Sequence, residues 1–238
     1  MKSLGIARCH IRWRTRLRTW VCSLSVLFAA ASAAVDVTVE LQDGAGVAVT
    51  DAIVALYAHN TVASASAPSA EHKMDQVDKQ FVPRLLAIHV GDQIVFPNSD
   101  NIRHHVYSFS PARTFELPLY RGILSDPLRF DVAGKVVLGC NIHDRMSAHI
   151  YVLDTPMFAL TTAGRHTFTG IAPGEYEVAV FHPGQSDDQD GARQPLQVAA
   201  EISQRVALTV ALQGAAAAAD SALSPLEQKF QALRRGAR

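Results

Sequence analysis

The sequence predicts an all-β protein, two joined β-sandwiches with a short C-terminal helix, and three observations carry that expectation. Short apolar stretches, several alternating with polar residues, recur at roughly 8–12-residue spacing. Gly, Asp, Asn and Pro fall between them at turn positions. Helical periodicity is confined to the tail, where Leu226, Phe230 and Leu233 share one face.

Val35, Val37 and Val39 alternate with Asp36, Thr38 and Glu40, and Asp43-Gly44-Ala45-Gly46 turns the chain into a second strand within Val47 to Ala58. Asn60 to Ala70 is low in complexity and reads as a loop or linker. Strands are then expected at Leu85 to Val90, Gln93 to Phe96, Val106 to Phe109, Leu128 to Val132, Val136 to Gly139 and His149 to Leu153, with a Gly91-Asp92 turn between the first two. Phe158 to Thr169, Tyr176 to Phe181 and Arg205 to Leu212 continue the series, with a Pro173-Gly174 turn and a polar loop from Gly184 to Arg193. An alanine run at 215–219 precedes the helical tail from Pro225 to Arg235.

The 238 residues suit one or two domains, and 48% apolar content suffices for a buried core. A formal charge of zero hides an asymmetry. Six cations and no acid precede residue 35, which leaves 16 basic and 22 acidic residues after it, a net of −6. An acidic body argues against nucleic acid as the partner, because phosphate binding needs clustered cations. The leader has a basic stretch to Arg18, an apolar run from Trp20 to Phe28 and small residues up to Ala34, the pattern of a secretory signal peptide over 1–34. The apolar run is short for a spanning helix, and the alternative of an uncleaved anchor stays open. Export to the periplasm with no membrane span left after cleavage is the expectation. Cys9 and Cys22 would leave with the signal, making Cys140 the only thiol of the mature chain. A lone thiol in an oxidising compartment is a liability unless something occupies it.

Cys140, His143 and Met146 stand three residues apart in series, and His104-His105 lies well upstream. A strand would point residues three apart to opposite faces, and a helix would fan them out, but a tight loop can bend all three toward one point. Thiolate and imidazole from this loop, a second imidazole from a distant strand and a weak axial thioether make a blue-copper donor set. Structural zinc prefers four Cys or His donors, iron–sulfur clusters several thiolates, and calcium and magnesium oxygen. A cysteine nucleophile paired with His143 lacks a marked orienting group or oxyanion pocket.

Cys140-x-x-His143-x-x-Met146 has the spacing of amicyanin, and Leu85 to Asn98 followed by His104-His-Val-Tyr-Ser-Phe109 resembles the cupredoxin segment that leads to the first ligand. The resemblance covers about Asp75 to Asp154 and extends to the plastocyanin-like proteins labelled methylamine utilisation proteins. It implies a Greek-key sandwich holding one type 1 copper, with His104, Cys140, His143 and Met146 as ligands, His105 remaining the rival to His104. It further implies one-electron transfer with His143 as the port. The chain departs from the family pattern at His105, where Asn commonly ties the ligand loops together, and at Ile142, where Pro is usual. Val35 to Ala58 and Ala163 to Val180 resemble the opening and closing parts of a carboxypeptidase-regulatory-like (transthyretin-like) sandwich. The domains expected are therefore 35–70 with 155–213 as one discontinuous sandwich, 71–154 as the cupredoxin, and 214–238 as linker and helix. The flanks as two extensions of a single larger sandwich is the alternative.

His59, His72, His89, His166 and His182 lie in or beside loops and are expected at the surface, and Met74 and Met157 in packing. The expected function is electron transfer between redox partners such as a dehydrogenase or cytochrome, with no substrate transformed. Copper delivery, and a partner-binding module with the cupredoxin as scaffold, are the competing classes.

Overall fold

The computed structural model describes residues 34–59, 69–123, 126–200 and 202–213. The signal-peptide expectation, most of the 60–70 loop, the alanine run and the C-terminal helix lie outside these residues. The described chain is all-β. Its strands run β1 (Val35–Gln42), β2 (Ile53–Ala58), β3 (Glu71–Lys73), β4 (Asp75–Val77), β5 (Gln80–Val82), β6 (Leu85–His89), β7 (Gln93–Val95), β8 (His104–Ser110) and β9 (Arg113–Tyr120). They continue as β10 (Leu128–Arg129), β11 (Gly134–Gly139), β12 (Ser147–Leu153), β13 (Met157–Leu160), β14 (Arg165–Ile171), β15 (Gly174–Phe181), β16 (Arg193–Val198) and β17 (Gln204–Thr209).

Two pairs of sheets enclose two apolar cores. In one pair the sheet β14-β1-β17 faces the sheet β13-β2-β15-β16, so β1 and β2 pair only with strands from the far end of the chain. Val35, Val37, Val39 and Leu41 point into the first core while Asp36 and Gln42 face water, the alternation expected of a strand with one wet face. In the other pair β6-β12-β11-β8-β9 faces β10-β7-β3 and the β4–β5 hairpin, over a core that includes Phe81, Ile94, Phe130, Val136 and Ile150.

A third apolar cluster joins the two sandwiches. Ile53 and Ala55 on β2 meet Leu85, Ala87, Tyr151 and Leu153 on β6 and β12. Strand β2 is therefore buried on both faces, which explains why Ile53-Val54-Ala55-Leu56 is a continuous apolar run with each residue at 0% exposure. Ile150-Tyr151-Val152-Leu153 on β12 repeats the pattern for the same reason.

Several strands are shorter than expected, with identifiable causes. The second strand starts at Ile53 rather than Val47, because Asp43 Oδ1 accepts the amides of Ala45 and Val47 and keeps that stretch in a loop. The expected strand from Phe158 to Thr169 breaks in two at Ala163 and Gly164, whose φ values of 50° and 73° make the turn between β13 and β14. The strand expected at Leu128 to Val132 reduces to two residues.

Candidate metal centre

Strand register carries the first donor inward. Along β8, His104, Val106 and Ser108 are buried, while His105 and Tyr107 are half-buried and Phe109 is exposed on the outer side. His104 has 0% exposure. The alternation Val136, Leu138, Cys140 runs off the end of β11 on the inner side and delivers the thiol to the same end of the core. Beyond it the chain turns back, Met146 N donating to His143 O at 3.0 Å, and returns His143 beside Cys140.

Gly139 permits this approach. A β-carbon there would lie 2.6 Å from the Tyr107 ring, which packs across the backbone immediately before the cysteine. Gly139 pairs with Tyr107 in the β11–β8 ladder, so this contact couples the two ligand-bearing strands.

Cys140 Sγ lies 3.9 Å from His104 Nδ1 and 3.7 Å from His143 Nδ1, and the two imidazole centroids are 4.9 Å apart. These three residues are the one such convergent group among the described residues, with donor atoms all within 4.8 Å of one another. Taking metal–sulfur and metal–nitrogen bonds of ~2.3 and ~2.0 Å at angles of ~110–120°, sulfur and nitrogen on one ion stand about 3.5–3.8 Å apart. The observed spacings are close to that, so the donors fit a single ion. Met146 is buried in the same apolar cluster as Cys140. His105 turns away, its Nε2 paired with Glu116 Oε1 at 2.9 Å and its ring 5.6 Å from Tyr107.

A carboxylate that the sequence did not single out holds His104. Asp100 Oδ2 accepts from His104 Nε2 at 2.6 Å and from the Lys79 amide at 2.9 Å, and Oδ1 accepts from the Asp78 amide at 2.7 Å. Asp78 and Lys79 have φ values of 51° and 59°, and this left-handed pair closes the β4–β5 hairpin with both amides aimed at Asp100. A proton fixed on Nε2 leaves the Nδ1 lone pair free toward Cys140. These hydrogen bonds hold Asp100 below the usual carboxylate range against the opposing effect of desolvation. Asn98 closes the loop, its Nδ2 donating to Ile102 O and Tyr120 O and its Oδ1 accepting from the Asp100 amide. The only sequence signal for Asp100 is a carboxylate four residues ahead of His104.

Deeper in, Tyr120 donates to Phe96 O and accepts from Gln76 Nε2. Burial pushes the Tyr120 phenol up to about 12, Gln76 opposes, and the charges of Asp75 and Cys140 add to the rise. His143 is half-buried and is the group's most exposed member. Its pKa is lowered, by desolvation first and then by His104 and Lys79, with Asp100 opposing.

No family model and no curated protein matches the chain. Among solved structures it is similar to a copper-containing nitrite reductase from Thermus scotoductus SA-01, at 24% identity over 42% of this chain and TM-score 0.33. It spans a quarter of that enzyme's length, at 25%. It is also similar to a purple cupredoxin from Nitrosopumilus maritimus, at 17% identity, 34% of this chain, 98% of that one and TM-score 0.30. An oxidised amicyanin variant aligns at 20% identity over 43% of this chain and 98% of its own, with TM-score 0.32.

Proposed function

We propose that this protein is an exported type 1 copper protein that carries single electrons between redox partners and transforms no substrate. The convergence of Cys140 Sγ, His104 Nδ1 and His143 Nδ1 from two separate chain segments carries this reading. Thiolate with two imidazoles suits copper in both oxidation states, and bound copper would supply a one-electron couple. In this reading Cys140, His104 and His143 hold the ion and Met146 completes the set from the buried side. Asp100 keeps His104 in one tautomer, and the apolar shell of Phe96, Val106, Leu138 and Met146 limits water access. His143, the most exposed of the three, is the electron port.

The wider proposal places the protein in the periplasm, with residues 1–34 removed as a signal peptide. Residues 71–154 form the cupredoxin, and 35–70 with 155–213 act as one discontinuous sandwich that supports it. The exclusive pairing of β1 and β2 with strands after residue 156 favours that division. Adding Cu(II) to the purified protein tests the function. An intense thiolate-to-copper colour that bleaches with reductant, returns with oxidant and vanishes in Cys140→Ala is expected. Identical spectra from the two proteins would reject the thiolate ligand.

A further inference from the structure

The acidic loop between β15 and β16 is pinned by groups that take no part in the metal centre. Asp190, its side chain 4% exposed, accepts from Tyr151 Oη at 2.8 Å, Lys135 Nζ at 2.9 Å and the His182 amide at 3.0 Å. Lys135 also reaches Asp187 Oδ1 at 3.6 Å. Gly191, at φ 79°, brings the loop so close that a β-carbon there would run into the Phe181 ring. The loop thus packs on Tyr151 and Phe181, whose ring centroids stand 5.2 Å apart at the apolar joint of the two sandwiches.

Two half-buried imidazoles at the base of this loop are built into it as neutral bases. His182 Nδ1 accepts the Gly184 amide at 2.9 Å, and the ring also bonds the Thr50 backbone. An amide N–H can only donate, so Nδ1 keeps its lone pair and the ring proton stands on Nε2. Gly184 O accepts the Gln213 amide at 2.7 Å, and Gln185 N donates to His182 O at 2.9 Å, so one turn ties β15, the loop and the chain beyond β17 together. His149 shares the outer side of β12 with Tyr151, two residues on. Desolvation is the first cause that lowers both imidazoles. It takes His149 to about 4, with Lys135, Arg84 and His182 adding. For His182, Lys135 adds to the lowering, while Asp190, Asp51 and the Thr50 bond oppose it. The charged groups that face the pair are therefore Lys135 on β11, Arg84 ahead of β6, Asp187 and Asp190 in the loop and Asp51 ahead of β2, with Tyr151 held as a neutral phenol.

A second proton on His182 turns Nδ1 from acceptor into donor, set against the Gly184 amide. A proton on His149 adds a cation beside Lys135 and Arg84. From these contacts we propose that the loop at 184–192 is a pH-operated latch, closed while His149 and His182 are neutral and released by acid. Release uncovers Tyr151 and Phe181 and loosens the two sandwiches against each other. Both imidazoles titrate below their ordinary 6.5 in the closed state, which therefore binds fewer protons than the open one. The latch is fully closed above about pH 6.5 and opens as the pH falls toward 4.

Amide hydrogen exchange of the full chain tests this, read by mass spectrometry at about pH 7 and about pH 4.5 and corrected for intrinsic rates. Peptides over 182–193 and around residue 213 should lose protection ~10–100-fold at the lower pH, the size that follows from an imidazole moved from 6.5 to about 4. Peptides from β1 and β7 should keep theirs. The double variant His149→Gln with His182→Asn should hold the loop shut at both pH values, because asparagine keeps an acceptor oxygen that takes no proton. Equal loss in the double variant would assign release to Asp187 and Asp190 and overturn the proposal. Unchanged loop protection in the wild type, or loss spread over the whole chain, would overturn it as well. Nitrogen-15 NMR of the wild-type imidazoles needs no variant: His182 is expected as the Nε2–H tautomer at about pH 7, and an Nδ1–H tautomer would contradict the latch.

Discussion

Replacing Asp100 by Asn is the sharpest perturbation of the site that leaves its donor atoms in place. The wild-type carboxylate accepts three N–H bonds, from His104 Nε2 at 2.6 Å, Asp78 at 2.7 Å and Lys79 at 2.9 Å. An amide of the same shape has one acceptor oxygen, so one of its N–H groups must face a donor. A hydrogen bond to a charged partner contributes about 1.5–3 kcal/mol, and groups that orient a metal-bound imidazole are worth ~10–100-fold in affinity, or about 1.4–2.7 kcal/mol. Competition against a chelator of known affinity should therefore show copper held ~10–100-fold more weakly in Asp100→Asn. Urea unfolding of the metal-free variant should show a loss of about 1–3 kcal/mol, because two hairpin amides lose their charged acceptor. Wild-type copper affinity in the variant would refute the role given to Asp100 in fixing His104.

Three further outcomes are expected. Gly139→Ala pushes a methyl group into the Tyr107 ring, 2.6 Å from its nearest atom, and should cost about 1–3 kcal/mol in urea unfolding. Tyr107→Ala in the same chain should reduce that increment, and a strictly additive double variant would argue against the contact. Asp190→Ala should destabilise by about 1–3 kcal/mol, because Asp190 accepts Tyr151 Oη at 2.8 Å and Lys135 Nζ at 2.9 Å where the acidic loop meets the five-stranded sheet, while Lys135 keeps Asp187 at 3.6 Å. A change below about 1 kcal/mol would contradict that estimate of the junction. His149, on the β12 face toward that loop, is lowered to about 4 by desolvation first, with Lys135, Arg84 and His182 adding. Its folded pKa lies below its unfolded value of about 6.5, so the folded state binds fewer protons. Stability is full above about pH 6.5 and falls as pH drops toward 4, by about 3 kcal/mol in total. His149→Gln should flatten that window in denaturant titrations run at several pH values, and an unchanged slope would remove His149 as the cause.

The all-β class was legible because strand periodicity is written locally. Val35 to Leu41 alternates with one wet face, and Ile53 to Leu56 shows an unbroken run where both faces are covered. Cys140 and His143 were legible from spacing, since a tight loop is the conformation that lets residues three apart converge. The short strands β3, β4 and β5 went unread because three residues leave no period to detect. Strand β9 was missed because Phe115 and Leu117 alternate inward only briefly, among polar residues and Pro118 at the sheet edge, before Tyr120 turns in at its end. Asp100 was missed for another reason. Its role depends on a hairpin some twenty residues earlier, Asp78 and Lys79, and a tertiary contact of that kind leaves no mark on local spacing. The split of His104 from His105 likewise awaited the register of β8 against β9.

X-ray absorption at the copper edge of the loaded protein addresses the donor set most directly. One short sulfur scatterer with two imidazole nitrogens is the predicted shell, and the sulfur should disappear in Cys140→Ala. A shell of nitrogen and oxygen alone, unchanged by that substitution, would contradict the assignment of copper to Cys140.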